Sequence, residues 1–350
     1  MNGILLNGKL LKASQLQDLL KTLTSDAPQW EASLYMFLQD WFSGSDHIVL
    51  KTSGSTGIPK SILLPKETMR ASARATNAFF GLKKGDKVLL CLSADYIAGK
   101  MMLVRAMEGE LDLTVVAPSS TPLDGLDEEY AFCAMVPMQV EQTIGNSGVA
   151  SFNRIRNLII GGSAVAPALA AILKQTDCIC YATYGMTETA SHVALRKLNG
   201  TSETEVYAAL DGISFHQDGR GCLIVNAPML VSEPLVTNDV VELLDERHFR
   251  WKGRFDFVVN SGGVKLFPEE IEKKIASLID CRFYIGKMAD ERLGEALVLV
   301  MESEKKSEEE EIQLLSRIRE KAGKYELPRK LIYQSEFDET PGGKIKRQTH

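Results

Sequence analysis

The sequence predicts an α/β protein. A large layered domain is built on a mostly parallel sheet and extended by added β-structure, and a small α+β domain follows at the C-terminal end. Three observations lead there. Between about residues 41 and 190, short β-rich runs alternate with runs of helical periodicity. After about Asn199, β runs separated by Asp218-Gly219 and Gly221 take over, a hairpin signal. Beyond the stretch KGRFDF, helical segments return among short β runs. The pattern changes near residues 254–256, which gives a large domain over 1–254 and a small one over 255–350.

Taken in order, HIVL reads as a strand leading into the glycine-rich stretch KTSGSTGIPKS. TMRASARATNAFFGL has small and apolar residues at helical spacing, with Gly81 as its stop. KVLLCLS reads as a strand, GKMMLVRAMEG as a helix and LDLTVVAP as a strand. AFCAMVP, then NLIIGG running into the helical VAPALAAILK, and finally CICYATYG continue the alternation. In the last part, Pro268 opens the helix PEEIEKKIASLI where its missing N–H costs nothing. Ser307 and Glu310 are spaced as a capping box for SEEEEIQLLSRIREKA. The run Glu308 to Glu311 is expected on a solvated face at the positive end of that helix, in preference to a metal site or a basic-partner site.

Composition narrows the class. The chain has 350 residues, 45% apolar and 25% charged, as ordinary soluble globular proteins have. A net charge of −6 gives no global electrostatic case for nucleic acid or an anionic membrane as partner. Of the cysteines Cys91, Cys133, Cys178, Cys180, Cys222 and Cys281, five lie in apolar, strand-like runs. No two pairs stand at zinc-ligand spacing, so buried thiols in a reducing compartment are expected. The first residues lack a basic start followed by a continuous apolar core, and no run approaches the ~20 apolar residues that span a bilayer. A cytoplasmic location is expected.

The stretch KTSGSTGIPKS carries the first chemical signal. Glycine permits close backbone approach, while amides and hydroxyls donate to anionic oxygens. Thr52, Ser53, Ser55 and Thr56 supply donors, Gly54 and Gly57 the pivots, and Lys60 a point charge. A Walker loop runs directly into a helix. Here Pro59 removes a donor and biases Ile58 away from helical angles, which breaks that architecture. A mobile loop closing over a polyphosphate fits better. Alone, the stretch reads equally well as a polar turn between strand and helix.

Three later stretches fall in order behind it. They are YGMTET at 184–189, GRFDFVVNSGGVKLFPEEIE at 253–272 and TPGGKIKR at 340–347. Together with Thr52 to Lys60, which matches the form [ST]-S-G-[ST]-T-G-x-P-K in full, they resemble the adenylate-forming superfamily of acyl-CoA synthetases, luciferases and peptide-synthetase adenylation domains. The resemblance runs from about Leu50 to the C-terminal end.

The resemblance implies a two-step reaction: a carboxylate attacks the α-phosphorus of ATP to give an acyl-adenylate and pyrophosphate, and a thiol, that of CoA, then displaces AMP. It implies that Ser53, Ser55, Thr56 and Lys60 handle the β- and γ-phosphates, that Thr187 bonds the α-phosphate, and that Glu188 holds Mg²⁺. Adenine would lie between Gly161, Gly162 and Ser163 on one side and Tyr184, followed by Gly185, on the other. Asp239, in VTNDV, resembles the aspartate that grips the ribose hydroxyls; Asn238 stands where the family has glycine and shares its tolerance of left-handed angles. Arg254 is implied as a second ribose contact. Lys344 is implied as the residue that stabilises charge developing between carboxylate and α-phosphate. Asp256 matches the hinge about which the small, mobile domain rotates, and Ser261, Gly262 and Gly263 match the loop lining the thiol tunnel.

For the acid, the resemblance thins. SADYIAGK places Tyr96 where many relatives carry histidine, either as a wall of the acyl pocket or as core. Only 50 residues precede Lys51, a short lead, and with YGMTETASHVALRKL the chain looks most like the o-succinylbenzoate–CoA ligases of bacterial menaquinone biosynthesis. Such an acid has a second, spectator carboxylate needing a cation or several donors. Ser191 and His192 are candidates to face it, with Arg196 and Lys197 one turn further on the surface; His192 reads equally as a satisfied structural histidine. Three alternatives stay open: another aryl- or acyl-CoA ligase, a ligase loading a carrier-protein thiol, and a non-catalytic nucleotide-binding relative. A homodimer is an expectation from the family alone.

Overall fold

A computed structural model describes residues 3–22, 27–52, 60–201, 203–339 and 345–348. The chain opens with β1 (Gly3–Leu6) and β2 (Lys9–Lys12), then α1 (Leu16–Thr22) and α2 (Gln29–Phe42). β3 (His47–Thr52) and β4 (Lys60–Pro65) form a two-stranded antiparallel sheet. There follow α3 (Lys66–Phe79), β5 (Lys87–Leu90), α4 (Ile97–Gly109), β6 (Asp112–Val115), β7 (Tyr130–Met135), α5 (Pro137–Ser147), β8 (Ile155–Ile160), α6 (Pro167–Leu173) and β9 (Ile179–Gly185). An antiparallel series comes next: β10 (His192–Lys197), β11 (Tyr207–Ala209), β12 (Ser214–Gln217), β13 (Cys222–Asn226), β14 (Leu235–Asp245) and β15 (His248–Arg254). The remainder is β16 (Val259–Ser261), β17 (Val264–Leu266), α7 (Pro268–Ile275), β18 (Phe283–Asp290), β19 (Gly294–Glu302), α8 (Glu308–Lys321) and β20 (Lys330–Gln334).

One 13-stranded sheet runs β12-β13-β14-β15-β11-β10-β9-β8-β7-β5-β6-β1-β2. From β1 through β6, β5, β7 and β8 to β9 every neighbour is parallel, and from β9 onward every pair is antiparallel. The α/β prediction, with β-structure added after it, therefore holds. The β12–β13 pair is the hairpin signalled by Asp218-Gly219. Successive strand residues point to opposite faces and feed separate cores. Val88 and Leu90 of β5, with Phe132 and Ala134 of β7, pack with α3 and α4. Leu89, Cys91, Cys133 and Met135 pack on the other face with α5 and α6.

Five of the cysteines are buried and all six are free thiols. Cys91 and Cys133 lie 3.8 Å apart, and burial pushes the Cys133 thiol up.

The last 90 or so residues build a second sheet, β17-β16-β19-β18 with β20 beside β19, covered by α7 and α8. Pro268 is the first residue of α7, and Ser307 and Glu310 close a reciprocal capping box on α8, as the sequence predicts. Glu308 to Glu311 form that helix's first turn. No helix among the described residues is long and apolar enough to cross a membrane.

Two expectations change. The phosphate-loop stretch does not sit between strand and helix: Thr52 pairs with Lys60 across β3 and β4, and the helix begins only at Lys66. Arg196 and Lys197 are not one helical turn beyond Ser191, because the segment is strand β10. Arg196 is buried, bonded to Glu205 at 2.7 Å with its guanidinium over Tyr207.

At the end of the parallel run, Asn199 accepts from the Cys180 amide (2.9 Å) and donates to the carbonyls of Cys178 (2.7 Å) and Leu173 (2.9 Å). Buried amides and carbonyls left unpaired are costly. Asn199→Ala is expected to cost about 3 kcal/mol and to lower the melting temperature by roughly 8 °C, which calorimetry checks.

Candidate active site

In open α/β sheets, ligands bind beyond the carboxyl ends of parallel strands. Here those ends carry one group of the residues singled out in the sequence. Gly161, Gly162 and Ser163 follow β8; Tyr184 and Gly185 end β9; Thr187 and Glu188 come directly after it; Tyr96 follows β5 at the start of α4. Tyr96 is 71% exposed, so the core reading of that residue fails; it caps α4 toward solvent. Gly161 is tightly fitted, since a Cβ there would lie 2.4 Å from the Thr183 hydroxyl. The sheet thus offers a bare backbone edge to a flat ligand, and Gly162 and Ser163 beside it are exposed.

The turn from β9 to β10 is where the sheet changes direction. Thr187, Glu188 and Thr189 form one turn of 3₁₀ helix. Ala190 then takes φ 62°, ψ −38°, and the Ser191 amide donates to the Thr189 carbonyl at 2.7 Å, a γ-turn with positive φ. The buried Thr189 hydroxyl holds this strained shape: it accepts from the Met186 amide (3.3 Å) and lies 3.0 and 2.8 Å from the Met186 and Ser191 carbonyls. Glu188 is left exposed, with no hydrogen bond or ion pair among the described residues.

Asp239 on β14 faces Arg254, its cross-strand partner on β15. The Tyr184 hydroxyl donates to one carboxylate oxygen (2.7 Å) and Trp251 Nε1 to the other (3.1 Å), while Arg254 Nη1 lies 3.7 Å away. Burial and the Asp239 charge push the Tyr184 hydroxyl up, so it remains a donor. Tyr184 and Asp239, 55 residues apart, are thus one unit. Two neutral donors fix the carboxylate and leave lone pairs open to hydroxyl groups of a ligand.

Arg254 also reaches Asp256, at 3.4 Å. Asn238 does not use a left-handed backbone. It lies within strand β14, where it accepts from Arg220 (3.2 Å) and donates toward both Asp256 oxygens at 3.5 Å. Ser261, Gly262 and Gly263 belong to the tight β16–β17 hairpin. Both glycines have positive φ, 58° and 84°, as a two-residue turn of that hand requires, so local geometry alone explains them. Ser53, Gly54, Ser55, Thr56, Gly57 and Lys344 lie outside the described residues; of Thr52 and Lys60 only the strand pairing is described.

One residue the sequence reading passed over stands beside this site. Arg105, in the middle of α4, is 2% exposed. No carboxylate among the described residues pairs with it, and its Nε has no partner. Its Nη2 donates to Ser191 Oγ at 2.6 Å, and its guanidinium lies over Phe132. Burial pushes Arg105 down, to about 9.

Ser191 and His192 continue the chain. Thr76 donates to the Ser72 carbonyl, so it accepts from His192 Nε2–H, and His192 Nδ1 then accepts from Ser191 (3.3 Å each). His192 is fully buried and held well below its usual range by burial and by Arg105; it is a neutral structural histidine that orients Ser191. The signal for Arg105 was present as a lone charge inside the apolar run MMLVRAM.

Comparison with known proteins identifies the family. The family model for AMP-binding enzymes matches residues 18–213. A solved structure described as an acyl-CoA synthetase (AMP-forming)/AMP-acid ligase II-like protein, from Dyadobacter fermentans, is 39% identical with a TM-score of 0.64, covering 94% of this chain and 95% of that one. The chain belongs to the AMP-binding enzymes, and within them it is an acyl- or aryl-CoA ligase of the AMP-forming family, with ATP and CoA as co-substrates. Among curated relatives, a 2-succinylbenzoate–CoA ligase of Listeria monocytogenes is 24% identical over 89% of this chain and 70% of its own length. The long-chain-fatty-acid–CoA ligase FadD13 of Mycobacterium tuberculosis is 23% identical over 95% and 71%.

The residues fit the ligands this family takes. Gly162 and Ser163 leave an exposed strand end, the Asp239 carboxylate has lone pairs open to hydroxyl groups, and Glu188 is an open hard-oxygen donor that suits Mg²⁺. Tyr184→Phe is expected to raise the KM for ATP about fivefold and Asp239→Asn about 50-fold, in line with losing one neutral and one charged hydrogen bond. Steady-state pyrophosphate release at varied ATP measures both.

Proposed function

We propose that this protein activates o-succinylbenzoate, or a closely similar aryl diacid, with ATP and transfers the acyl group to CoA, a step of menaquinone biosynthesis. The observation that carries the choice of acid is Arg105. A buried guanidinium without a carboxylate is expensive in the free protein, and a substrate with a second carboxylate would supply what is missing. Ser191, which accepts from Arg105 and donates to His192, holds the guanidinium in place there. A mono-acid such as a fatty acid would leave that charge uncompensated.

In this reading the phosphate residues Ser53, Ser55, Thr56 and Lys60 draw the β- and γ-phosphates away from the α-phosphorus. Thr187 orients the α-phosphate, and adenosine rests between Gly161–Ser163 and Tyr184, its ribose hydroxyls on Asp239 with Arg254 alongside. Mg²⁺ bound through Glu188 would neutralise phosphate charge. Lys344 stabilises the charge that builds as a carboxylate oxygen bonds to phosphorus and pyrophosphate leaves. The two domains, 1–254 and 255–350, then turn about Asp256. The CoA sulfur, entering by Ser261–Gly263, bonds to the acyl carbon and AMP departs. Tyr96, exposed at the head of α4, would border the acyl group.

CoA-dependent AMP release with o-succinylbenzoate, benzoate, a medium-chain fatty acid and acetate tests the substrate. A strong preference for o-succinylbenzoate is expected; preference for a mono-acid overturns the assignment and leaves the chemistry standing. Arg105→Met should lower kcat/KM for o-succinylbenzoate by about 100-fold, the result of removing a charge partner worth about 3 kcal/mol. It should leave benzoate turnover unchanged and the melting temperature unchanged or higher, because an apolar side chain of similar reach replaces a buried charge.

A further inference from the structure

Trp251 and Arg254 both reach the same oxygen of Asp239, at 3.1 and 3.7 Å. They stand three residues apart on β15, and a regular strand would send them to opposite faces. A β-bulge removes the conflict. Val240 pairs with Gly253 and Val241 with Trp251, so Lys252 is an extra residue with no partner on β14. Such a bulge re-aims side chains, and here it brings the indole N–H to the carboxylate.

Helix α7 is seated on this bulge. Glu269 and Lys273, one helical turn apart, share a face of it. Glu269 is buried: one oxygen accepts from the Arg254 amide at 3.2 Å, and the other occupies the space that a Cβ on Gly253 would need. Lys273 places its ammonium 5.6 Å from the centroid of the Trp251 ring. A cation over a ring face draws on its π electrons, and polar contacts in series polarise one another, so Lys273 strengthens the indole N–H as a donor. No hydrogen bond or ion pair among the described residues joins α7 to Asp239 directly. The contacts run from Lys273 through Trp251 to Asp239, and Tyr184 meets the carboxylate from β9 at 2.7 Å.

We propose that Trp251 is a positioning residue for the nucleotide site and that α7 acts through it: seating of the helix on the bulge, by Glu269 and Lys273, aligns the Asp239 carboxylate for the ribose hydroxyls. The inference rests on the reading of Asp239 given above. Seating of α7 and affinity for the nucleotide are then linked in both directions. An indole present only to satisfy a carboxylate would leave ribose recognition indifferent to a lysine over its ring.

The test uses the full chain and needs no acid. Binding of ATP, 2′-deoxy-ATP and 3′-deoxy-ATP, each with Mg²⁺, is measured by calorimetric titration. The ratio of the Kd of a deoxy form to that of ATP reads the ribose contact. A ratio of about 20 is expected for the unaltered protein, as for a hydrogen bond to a charged group. Trp251→Phe keeps a ring and loses the N–H; it should weaken ATP about fivefold and lower the ratio to about 4, because the deoxy forms lose nothing. Lys273→Met should weaken ATP about threefold and lower the ratio to about 7. In the Trp251→Phe background Lys273→Met should add little, and in an Asp239→Asn background Trp251→Phe should add nothing.

An unchanged ratio in either variant overturns the proposal, even where ATP binds more weakly or the melting temperature falls, since a merely structural role weakens all three nucleotides alike. So does a full further loss from Trp251→Phe on top of Asp239→Asn. Lys273 is exposed, so Lys273→Met decides alone if Trp251→Phe does not fold. If Asp239→Asn itself leaves the ratio unchanged, the reading of Asp239 fails and the proposal falls with it, whatever the other variants show.

Discussion

The site depends on the turn clamped by Thr189. At that point a sheet of parallel strands becomes antiparallel, and the chain must reverse within a few residues. The reversal forces Ala190 into a conformation disfavoured for any residue with a side chain, and the buried Thr189 hydroxyl holds it by bonding backbone on both sides. Upstream, the turn fixes Tyr184 at the end of β9. At its tip it projects Glu188 into solvent. Downstream, it delivers Ser191 and His192 to the buried arginine on α4. One strained connection thus sets the Tyr184–Asp239 cluster and the Arg105 cluster together.

Charge is handled differently on those two sides. Asp239 is held by neutral donors, Tyr184 and Trp251, with the Arg254 cation at a longer distance. Such a carboxylate has spare lone pairs for hydroxyl groups. Arg105 has the opposite arrangement: a full charge, buried, with the Ser191 hydroxyl, the Met102 sulfur and the Phe132 face as its company among the described residues. Keeping a cation in that state lowers the stability of the free protein, and a bound anion restores it. The proposed preference for a diacid rests on that difference.

The junction between the two sheets is polar and short-ranged. Glu269 on α7 accepts from the Arg254 amide at 3.2 Å, and one of its oxygens is buried without a partner against Gly253. Asn238 and Arg254 both reach Asp256, and Lys273 lies over Trp251, the residue that bonds Asp239. The Asp239 carboxylate and the turn at 255–257 therefore share neighbours. Contacts of this kind are readily exchanged for others, which suits the rotation proposed for this junction.

Periodicity and turn chemistry, which are local, already determined the alternating α/β region, the Asp218-Gly219 hairpin, the Pro268 start of α7 and the capping box of α8. The four ordered motifs likewise identified the family, because phosphate and adenylate chemistry requires particular residue types at fixed spacing. Tertiary structure decided what depends on partners distant in sequence. It made the glycine-rich stretch the link between two strands rather than strand and helix. It turned His192 into a neutral support, put Arg196 in the interior, and gave Asn238 a bridging role in place of a left-handed one. It also brought Arg105 against Ser191, 86 residues away, and Arg347 against Glu272, 75 residues away. A lone arginine in an apolar helix reveals that a charge is buried; only the folded chain reveals that no carboxylate among the described residues pairs with that charge.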